Sequence, residues 1–140
     1  MGRWLDGLQP WGALLLRLVL GIAMVYHGYG KVVPPNGFHG NPLTAMEHFS
    51  RFVAGLGLPP WLGYVSALTE FLGGALLVLG LFTRFAAFMV AINMTVALVT
   101  VNLHKGYAAS EYALALTTMA LMILFYGAGA AALDRRFAFR

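Results

Sequence analysis

Four long hydrophobic runs constrain this chain more than any other feature of its sequence. They cover residues 11–32, 61–82, 85–103 and 111–133, and few polar side chains interrupt them. About 20 mostly apolar residues in a helix are enough to cross the hydrocarbon core of a bilayer. The runs are too long for membrane-spanning strands and do not alternate between polar and apolar residues. The pattern predicts an all-α integral membrane four-helix bundle of up-down-up-down topology, a single membrane domain over residues 1–140.

The composition excludes several function classes. Hydrophobic residues make up 60% of the chain and charged residues only 10%, whereas a typical soluble domain has about 25% charged residues. A soluble bundle could not cover its surface with so few charges. The absence of cysteine excludes disulfide scaffolds, thiol redox relays and thiolate metal sites. The net charge of +4 is scattered between the runs, which argues against a nucleic-acid partner and indicates the lipid bilayer instead.

The connections between the runs predict the order of the helices in space. A tight turn around Thr83 and Arg84 makes the second and third runs antiparallel neighbours, and residues 104–110 join the third run to the fourth. The proline-rich stretch between the first and second runs contains Thr44 and Glu47 at the spacing of a capping box. Because an apolar stripe follows the same segment, we expect a short helix on the membrane surface.

The basic residues that flank the runs indicate an orientation in the membrane. Five lie on the side of the termini and three on the other side, which predicts that both termini are cytoplasmic. The first run is longer than a usual signal-peptide core, carries Arg17 and lacks a cleavage site, so we expect it to be retained as a span. The five are Arg3, Arg84, Arg135, Arg136 and Arg140; the three are Lys31, Arg51 and Lys105.

Polar side chains within the runs are the strongest functional signal. Each ionisable group in a span costs about 2.5–3.5 kcal/mol on insertion scales and tends to face the bundle interior. Glu70 and Asn93 lie near the middle of their runs, and Arg17 lies roughly 7 Å from the middle of the first run. Since an unpaired charge there would be costly, we expect Arg17 and Glu70 to pair, either as part of a site or as a structural contact that sets the helix register.

A second group of polar residues lies at the predicted outer ends of the runs. His27 and Lys31 are near the end of the first, His104 is at the end of the third, and Glu111 opens the fourth. We expect these ends to meet in a polar pocket in the outer leaflet, with the three buried polar residues as its floor. The candidate catalytic residues are Glu70, His27 and His104, and the candidate ligand-binding residues are Arg17, Lys31, Asn93 and Glu111.

Each of these residues also has an ordinary structural interpretation. Histidines and lysines are common at the membrane interface, where they bind water or carbonyl groups. A haem held between His27 and His104 is a less favoured interpretation, because the chain has only these two candidate ligands and no attachment motif. No metal site is predicted.

Four blocks of motif residues follow one another from about residue 14 to residue 136, and one block begins in each run. The blocks are Arg17-Leu18, Gly21, His27-Gly28 and Lys31; Glu70, Gly73-Gly74, Gly80-Leu81, Thr83-Arg84 and Ala86-Ala87; Met94, Ala97, His104 and Gly106; and Glu111-Tyr112, Gly127-Ala128-Gly129 and Leu133-Asp134. In order and spacing they resemble the DoxX family of bacterial membrane proteins. One departure is Ala132, where the family usually has a serine before the Leu-Asp pair.

The resemblance implies a four-helix bundle in the bacterial inner membrane and a link to redox chemistry. A related subunit, DoxD, belongs to thiosulfate:quinone oxidoreductase, and other members are linked to membrane-associated oxidoreductase complexes and oxidative-stress defence. We therefore expect a membrane subunit of a redox system that binds a quinone in the outer pocket and takes electrons from a partner protein. The expected hydrogen-bond donors to a quinone carbonyl are Arg17, His27, Lys31 and His104, and the expected proton carriers are Glu70 and Glu111.

Two other function classes fit the same residues. In a small proton-coupled transporter, Glu70 would exchange a proton against a cation. Four spans enclose a pathway poorly, so this function would require a homo-oligomer. In a non-catalytic scaffold or assembly factor, the buried charges would only hold the bundle together.

Overall fold

The structure is a computed structural model that describes residues 2–137, apart from the side chain of Phe38. Four of its helices are long and apolar enough to cross a membrane, and we number them as spans: the first is Gln9–Val32, the second Trp61–Leu79, the third Thr83–Lys105 and the fourth Tyr107–Tyr126. Within residues 2–137 there is no strand. The predicted all-α membrane bundle is therefore confirmed. Shorter helices cover Arg3–Asp6, Gly37–His39, Pro42–Gly55 and Leu133–Arg136.

The fourth span ends earlier than the hydrophobic pattern indicates. Its helix stops at Tyr126, because Gly127 has a φ of +104° that a helix cannot continue. Residues 127–132 are apolar but not helical, and they turn back towards the bundle, where the Ala130 amide donates to the Pro10 carbonyl at 2.8 Å. The carbonyl groups of this segment, which we call the return segment, are therefore available to other helices.

Aliphatic side chains fill the space between the spans. Leu20 and Met24 of the first span, Leu77 of the second, Val90 of the third and Ile123 of the fourth are almost fully buried in one cluster. Large apolar side chains also cover the outside of the spans, where they contact lipid because a soluble surface would not expose them. They include Leu15, Val19, Ile22, Phe85, Phe88, Ile92 and Phe125.

The helix Pro42–Gly55, which we call the surface helix, begins earlier than its sequence suggested. Its N-cap is Asn41, whose side chain accepts from the Leu43 amide at 3.0 Å, and Pro42 occupies the first turn. The predicted capping box of Thr44 and Glu47 is therefore wrong: Asn-Pro upstream is the stronger start signal, and Glu47 instead binds Arg51 at 2.6 Å.

The surface helix is fastened to the start of the second span. Ser50 is buried and donates its hydroxyl to the Pro60 carbonyl at 2.5 Å. Gly63 packs against Ser50 so closely that an added Cβ would lie 2.5 Å from the Ser50 Cα. Met46 and Val53 bury the apolar face of the helix against the bundle.

The orientation of the bundle in the membrane stays a prediction. Arg140, one of the five basic residues on which that prediction rests, lies outside the described residues.

Candidate functional site

Glu70 is the centre of a buried polar cluster in the second span. The residue is 3% exposed. Its Oε2 accepts a hydrogen bond from the Lys31 ammonium at 2.6 Å, and its Oε1 accepts one from the Asn93 side-chain amide at 3.0 Å. Three spans thus contribute one side chain each, and both carboxylate oxygens have a donor. We call these residues the Lys31–Glu70–Asn93 cluster.

The backbone at this depth departs from regular α-helix in two spans. Residues Thr69–Gly73 of the second span and Leu98–Asn102 of the third form π-helical turns. Such turns are rare and appear frequently at functional sites. Glu70 lies inside the first of them, and residues of both line the same cavity. These turns could not be predicted from the sequence, since a π-turn keeps the hydropathy of the helix that contains it.

A glycine brings the first span against the π-turn that carries Glu70. An added Cβ at Gly28 would lie 2.5 Å from the Phe71 amide nitrogen and 2.9 Å from the Glu70 carbonyl carbon. Only a glycine allows this backbone approach. Lys31, one helical turn further along the first span, is therefore held close enough to reach the Glu70 carboxylate.

A cavity of about 380 Å³ lies beside the cluster, between the surface helix and the second and third spans. Lys31, Glu70 and Asn93 form part of its wall, and the Lys31 ammonium also lies 4.2 Å from the centre of the Phe49 ring. The rest of the wall is mainly apolar. It includes Phe52, Val53, Leu56, Leu62, Val65, Met89, Ile92 and Val96.

The cavity opens towards lipid. Val65 of the second span and Ile92 and Val96 of the third line it, and they are 40–46% exposed on the outer face of the bundle. These side chains therefore form an apolar rim between two spans.

The predicted pairing of Arg17 with Glu70 is wrong. Arg17 is 1% exposed, and its guanidinium donates to the carbonyl groups of Ala128 at 2.5 Å and Ala131 at 3.2 Å, with a longer contact of 3.4 Å to Ala130. These carbonyls belong to the return segment. The hydrophobic pattern runs to residue 133 and does not show that residues 127–132 turn back and offer their carbonyls, so Glu70 was the evident partner for Arg17.

Arg17 therefore lies away from the cavity, in a second polar cluster at the other end of the bundle. There Asp134, 6% exposed, accepts from the amides of Phe82 at 2.6 Å and Thr83 at 2.9 Å. The carboxylate thus caps the N-terminus of the third span. Sequence reasoning gave Asp134 no role beyond its place in a motif.

The two candidate histidines and Glu111 are not part of the cavity wall. His27 is exposed, and its Nε2 lies 2.8 Å from the Tyr112 hydroxyl of the fourth span. His104 and Glu111 are exposed as well. In the described part of the chain, no three His, Asp or Glu side chains are grouped as metal ligands. Of the seven candidates, the structure brings together Lys31, Glu70 and Asn93 at one cavity.

The family of this protein follows from its similarity to a known family model. The model of the DoxX family matches residues 12–103, about two thirds of the sequence. The chain belongs to the DoxX family. The matched DoxX region contains Lys31, Glu70 and Asn93, while the fourth span and the return segment follow it.

Two relatives of this DoxX protein extend the comparison. A Bacillus subtilis (strain 168) protein named "Putative oxidoreductase CatD" is 36% identical over 115 residues, which cover 80% of this chain and 78% of that protein. A protein of Haemophilus influenzae whose printed name is "Uncharacterized protein" is 32% identical over 147 residues, covering 95% of this chain and 96% of its own length. No solved structure matches the chain.

Proposed function

We propose that this DoxX protein is a membrane subunit of a redox system and binds a quinone in the cavity beside Glu70. The observation that carries the proposal is the Lys31–Glu70–Asn93 cluster in the wall of a largely apolar cavity that opens towards lipid. A quinone has a polar ring, which suits the polar cluster, and an apolar tail, which suits the apolar part of the wall. The name of the Bacillus relative supports the redox part of the proposal.

The size of the cavity suits the ring of a quinone. Its volume of about 380 Å³ falls within the usual range of small-molecule pockets, about 300–1,000 Å³. The isoprenoid tail is too long to fit inside. It would leave across the rim formed by Val65, Ile92 and Val96 and lie in the bilayer. The ring of Phe49, already beside the Lys31 ammonium, offers an aromatic face for the quinone ring.

Lys31 is the group best placed to bind a quinone carbonyl oxygen. Its ammonium has three donors, and the carboxylate of Glu70 takes one of them. Asn93 holds the other oxygen of Glu70, so the carboxylate keeps its position when Lys31 turns towards a ligand. A cation beside the carbonyl stabilises the negative charge that develops on the oxygen during reduction.

The proton balance of the reaction also fits the cluster. Conversion of quinone to hydroquinone takes two electrons, which a redox partner protein supplies, and two protons. Lys31 donates one proton to the carbonyl oxygen, and Glu70, which first takes a proton from water, returns it to Lys31 through their 2.6 Å contact. The second proton comes from water. Oxidation of hydroquinone uses the same groups in the reverse direction.

The location of the protein is part of the proposal. We propose the bacterial inner membrane with both termini in the cytoplasm, which puts the cavity towards the outer leaflet. The excess of basic residues at the end of the bundle that carries Arg3, Arg84, Arg135 and Arg136 supports this orientation.

Quinone binding to the purified protein tests the proposal. Solvent extracts of protein purified from membranes should contain quinone by mass spectrometry, and added quinone should raise the melting temperature in detergent. Lys31→Met should weaken quinone binding by about tenfold or more, because a charge-assisted hydrogen bond is lost. Lys105→Met is the matched control, since Lys105 is exposed and outside the cavity wall.

Two results would contradict the proposal. The first is protein that carries no quinone and shows no quinone-dependent shift. The second is equal quinone affinity for the wild type and Lys31→Met. Proton-coupled cation flux in liposomes that Glu70→Gln abolishes, without quinone binding, would indicate a transporter instead.

A further inference from the structure

A larger groove lies at the opposite end of the bundle, away from the quinone cavity. It has a volume of about 810 Å³ and lies between the start of the third span and the return segment. Its wall includes Thr83, Arg84 and Phe85 of the third span, Tyr126 at the end of the fourth, and Arg135 of the C-terminal helix. We call it the arginine groove.

The arginine groove carries a net positive charge. Arg84 and Arg135 come from different helices and both line it, and neither forms an ion pair within residues 2–137. The acidic residue in the same wall is Asp134, and its two oxygens already accept from the Phe82 and Thr83 amides. The carboxylate is therefore occupied by the main chain, and the two guanidinium groups are free to bind an anion.

Further donors at the start of the third span have no partner within residues 2–137. Thr83 lines the groove and is 1% exposed, and its hydroxyl has no hydrogen-bond partner in the described structure. The first amide of the third span with a main-chain acceptor one turn back is that of Ala86, which donates to the Phe82 carbonyl at 2.9 Å. The amides of Arg84 and Phe85 come before it and have no such acceptor. They lie at the positive end of the helix dipole, where anions are stabilised.

Apart from residues 127–129 of the return segment, the remaining wall of the groove is aromatic and faces the lipid. Phe82, Phe85 and Tyr126 are 48%, 64% and 37% exposed. Aromatic side chains at this depth lie beside acyl chains near the headgroups. The groove thus offers cationic and main-chain donors on one side and an apolar surface on the other.

We propose that the arginine groove binds the phosphate headgroup of an anionic glycerophospholipid. Arg84 and Arg135 bind the phosphate oxygens from two sides, the hydroxyl of Thr83 donates to the same group, and the acyl chains lie along Phe82 and Phe85. Bidentate guanidinium contacts are well suited to phosphate. The site is independent of quinone binding and would fasten the C-terminal helix to the membrane surface.

Native mass spectrometry of the protein in detergent tests this site. The probes are phosphatidylglycerol, phosphatidylcholine and inorganic phosphate, each titrated separately. Phosphatidylglycerol should bind at least about fivefold more tightly than phosphatidylcholine, because the groove has a net positive charge. The double variant Arg84→Gln/Arg135→Gln should lower the phosphatidylglycerol affinity about tenfold or more, since two charge-assisted contacts are lost.

Arg136→Gln is the matched control, because Arg136 is exposed, next to Arg135 and not in the groove wall. It should leave the affinity within about twofold of the wild type, as an exposed charge contributes little. Thr83→Val, a change of one buried hydroxyl, should give an intermediate loss without a change in helix content by circular dichroism.

Three outcomes would overturn the proposal. One is equal affinity for phosphatidylglycerol and phosphatidylcholine. Another is an equal loss of affinity in Arg136→Gln and in the double variant, which would show general attraction to the surface. The third is inorganic phosphate binding as tightly as the lipid, which would make the groove a site for a soluble anion.

Discussion

The two ends of the bundle each contain a cation and a buried carboxylate but hold them in different ways. At the end with the return segment, the partners are main-chain groups: carbonyls accept from Arg17, and amides donate to Asp134. At the cavity beside Glu70, Lys31, Glu70 and Asn93 bind one another through side chains. Main-chain partners cannot turn away, whereas a lysine side chain changes rotamer easily. The first end is therefore suited to hold the fold and the second to exchange a ligand or a proton.

The burial of the two cations agrees with this division. Arg17 is 1% exposed, while the Lys31 side chain is 26% exposed and lies in a cavity wall. Arginine keeps its charge when buried and donates in several directions at once, which suits a fixed cluster of carbonyls. Lysine is a compact charge on a flexible stem. A buried charge in this protein is thus a functional candidate only where a cavity reaches it.

The largest effect should come from the end that holds the fold. Arg17→Met removes a charged donor from the carbonyls of Ala128 and Ala131, and we expect it to lower the free energy of unfolding by about 3–5 kcal/mol. Unfolding in mixed detergent micelles, followed by circular dichroism, measures the change. Arg136→Met, on the exposed C-terminal helix, should alter stability by less than about 0.5 kcal/mol. A loss below about 1 kcal/mol for Arg17→Met would contradict the conclusion that the end with the return segment holds the fold.

The next effect concerns how the first span positions the site. Gly28→Ala would put a Cβ within 2.5 Å of the Phe71 amide nitrogen, and such overpacking costs about 1–3 kcal/mol. It should also displace the π-turn that carries Glu70 and weaken quinone binding. Gly30→Ala is the control, because an added Cβ there meets nothing within 4 Å, and it should be neutral or stabilising by about 0.5–1 kcal/mol. Similar results for both alanine variants would contradict the close approach.

A loss of stability of similar size should follow from a change within the cluster itself. Lys31→Met leaves the Glu70 carboxylate with Asn93 as its remaining donor of the cluster, and we expect a loss of about 1–3 kcal/mol. The double variant Lys31→Met/Glu70→Gln removes the uncompensated charge and should recover part of that loss while quinone binding stays weak. Unfolding in detergent and the quinone-dependent melting shift measure the two properties separately. If stability and binding always changed together, the site would have a purely structural role.

The smallest effect tests whether the two ends are independent. In a double-mutant cycle of Arg17→Gln and Glu70→Gln, the coupling energy should be below about 0.5 kcal/mol, because the two residues share no hydrogen-bond partner. The four unfolding free energies of the cycle give this value. A coupling above about 1 kcal/mol would restore the direct pairing that the sequence suggested.

The sequence was most informative about which polar residues of a single helix face the bundle interior. The cost of burying Glu70 and Asn93 in mid-span predicted that they face the interior, and both line one cavity with Lys31. Sequence reasoning was least informative about partners. It paired Arg17 with Glu70 because hydropathy does not show that the return segment turns its carbonyls towards Arg17. It also grouped His27, His104 and Glu111 with the pocket, although the structure leaves them exposed outside the cavity wall.

By itself, the sequence determined the class of this protein: a DoxX bundle of four membrane spans with a few polar groups inside. Hydropathy is a sum over neighbouring residues, so it needs no knowledge of the rest of the chain. The tertiary structure alone decided which buried groups meet. The contact of Lys31 with Glu70 depends on the close approach at Gly28 and on the π-turn that carries Glu70. The contacts of Arg17 with the return segment depend on the early end of the fourth span. These are backbone features, and they change the neighbours of a side chain without changing its hydrophobicity.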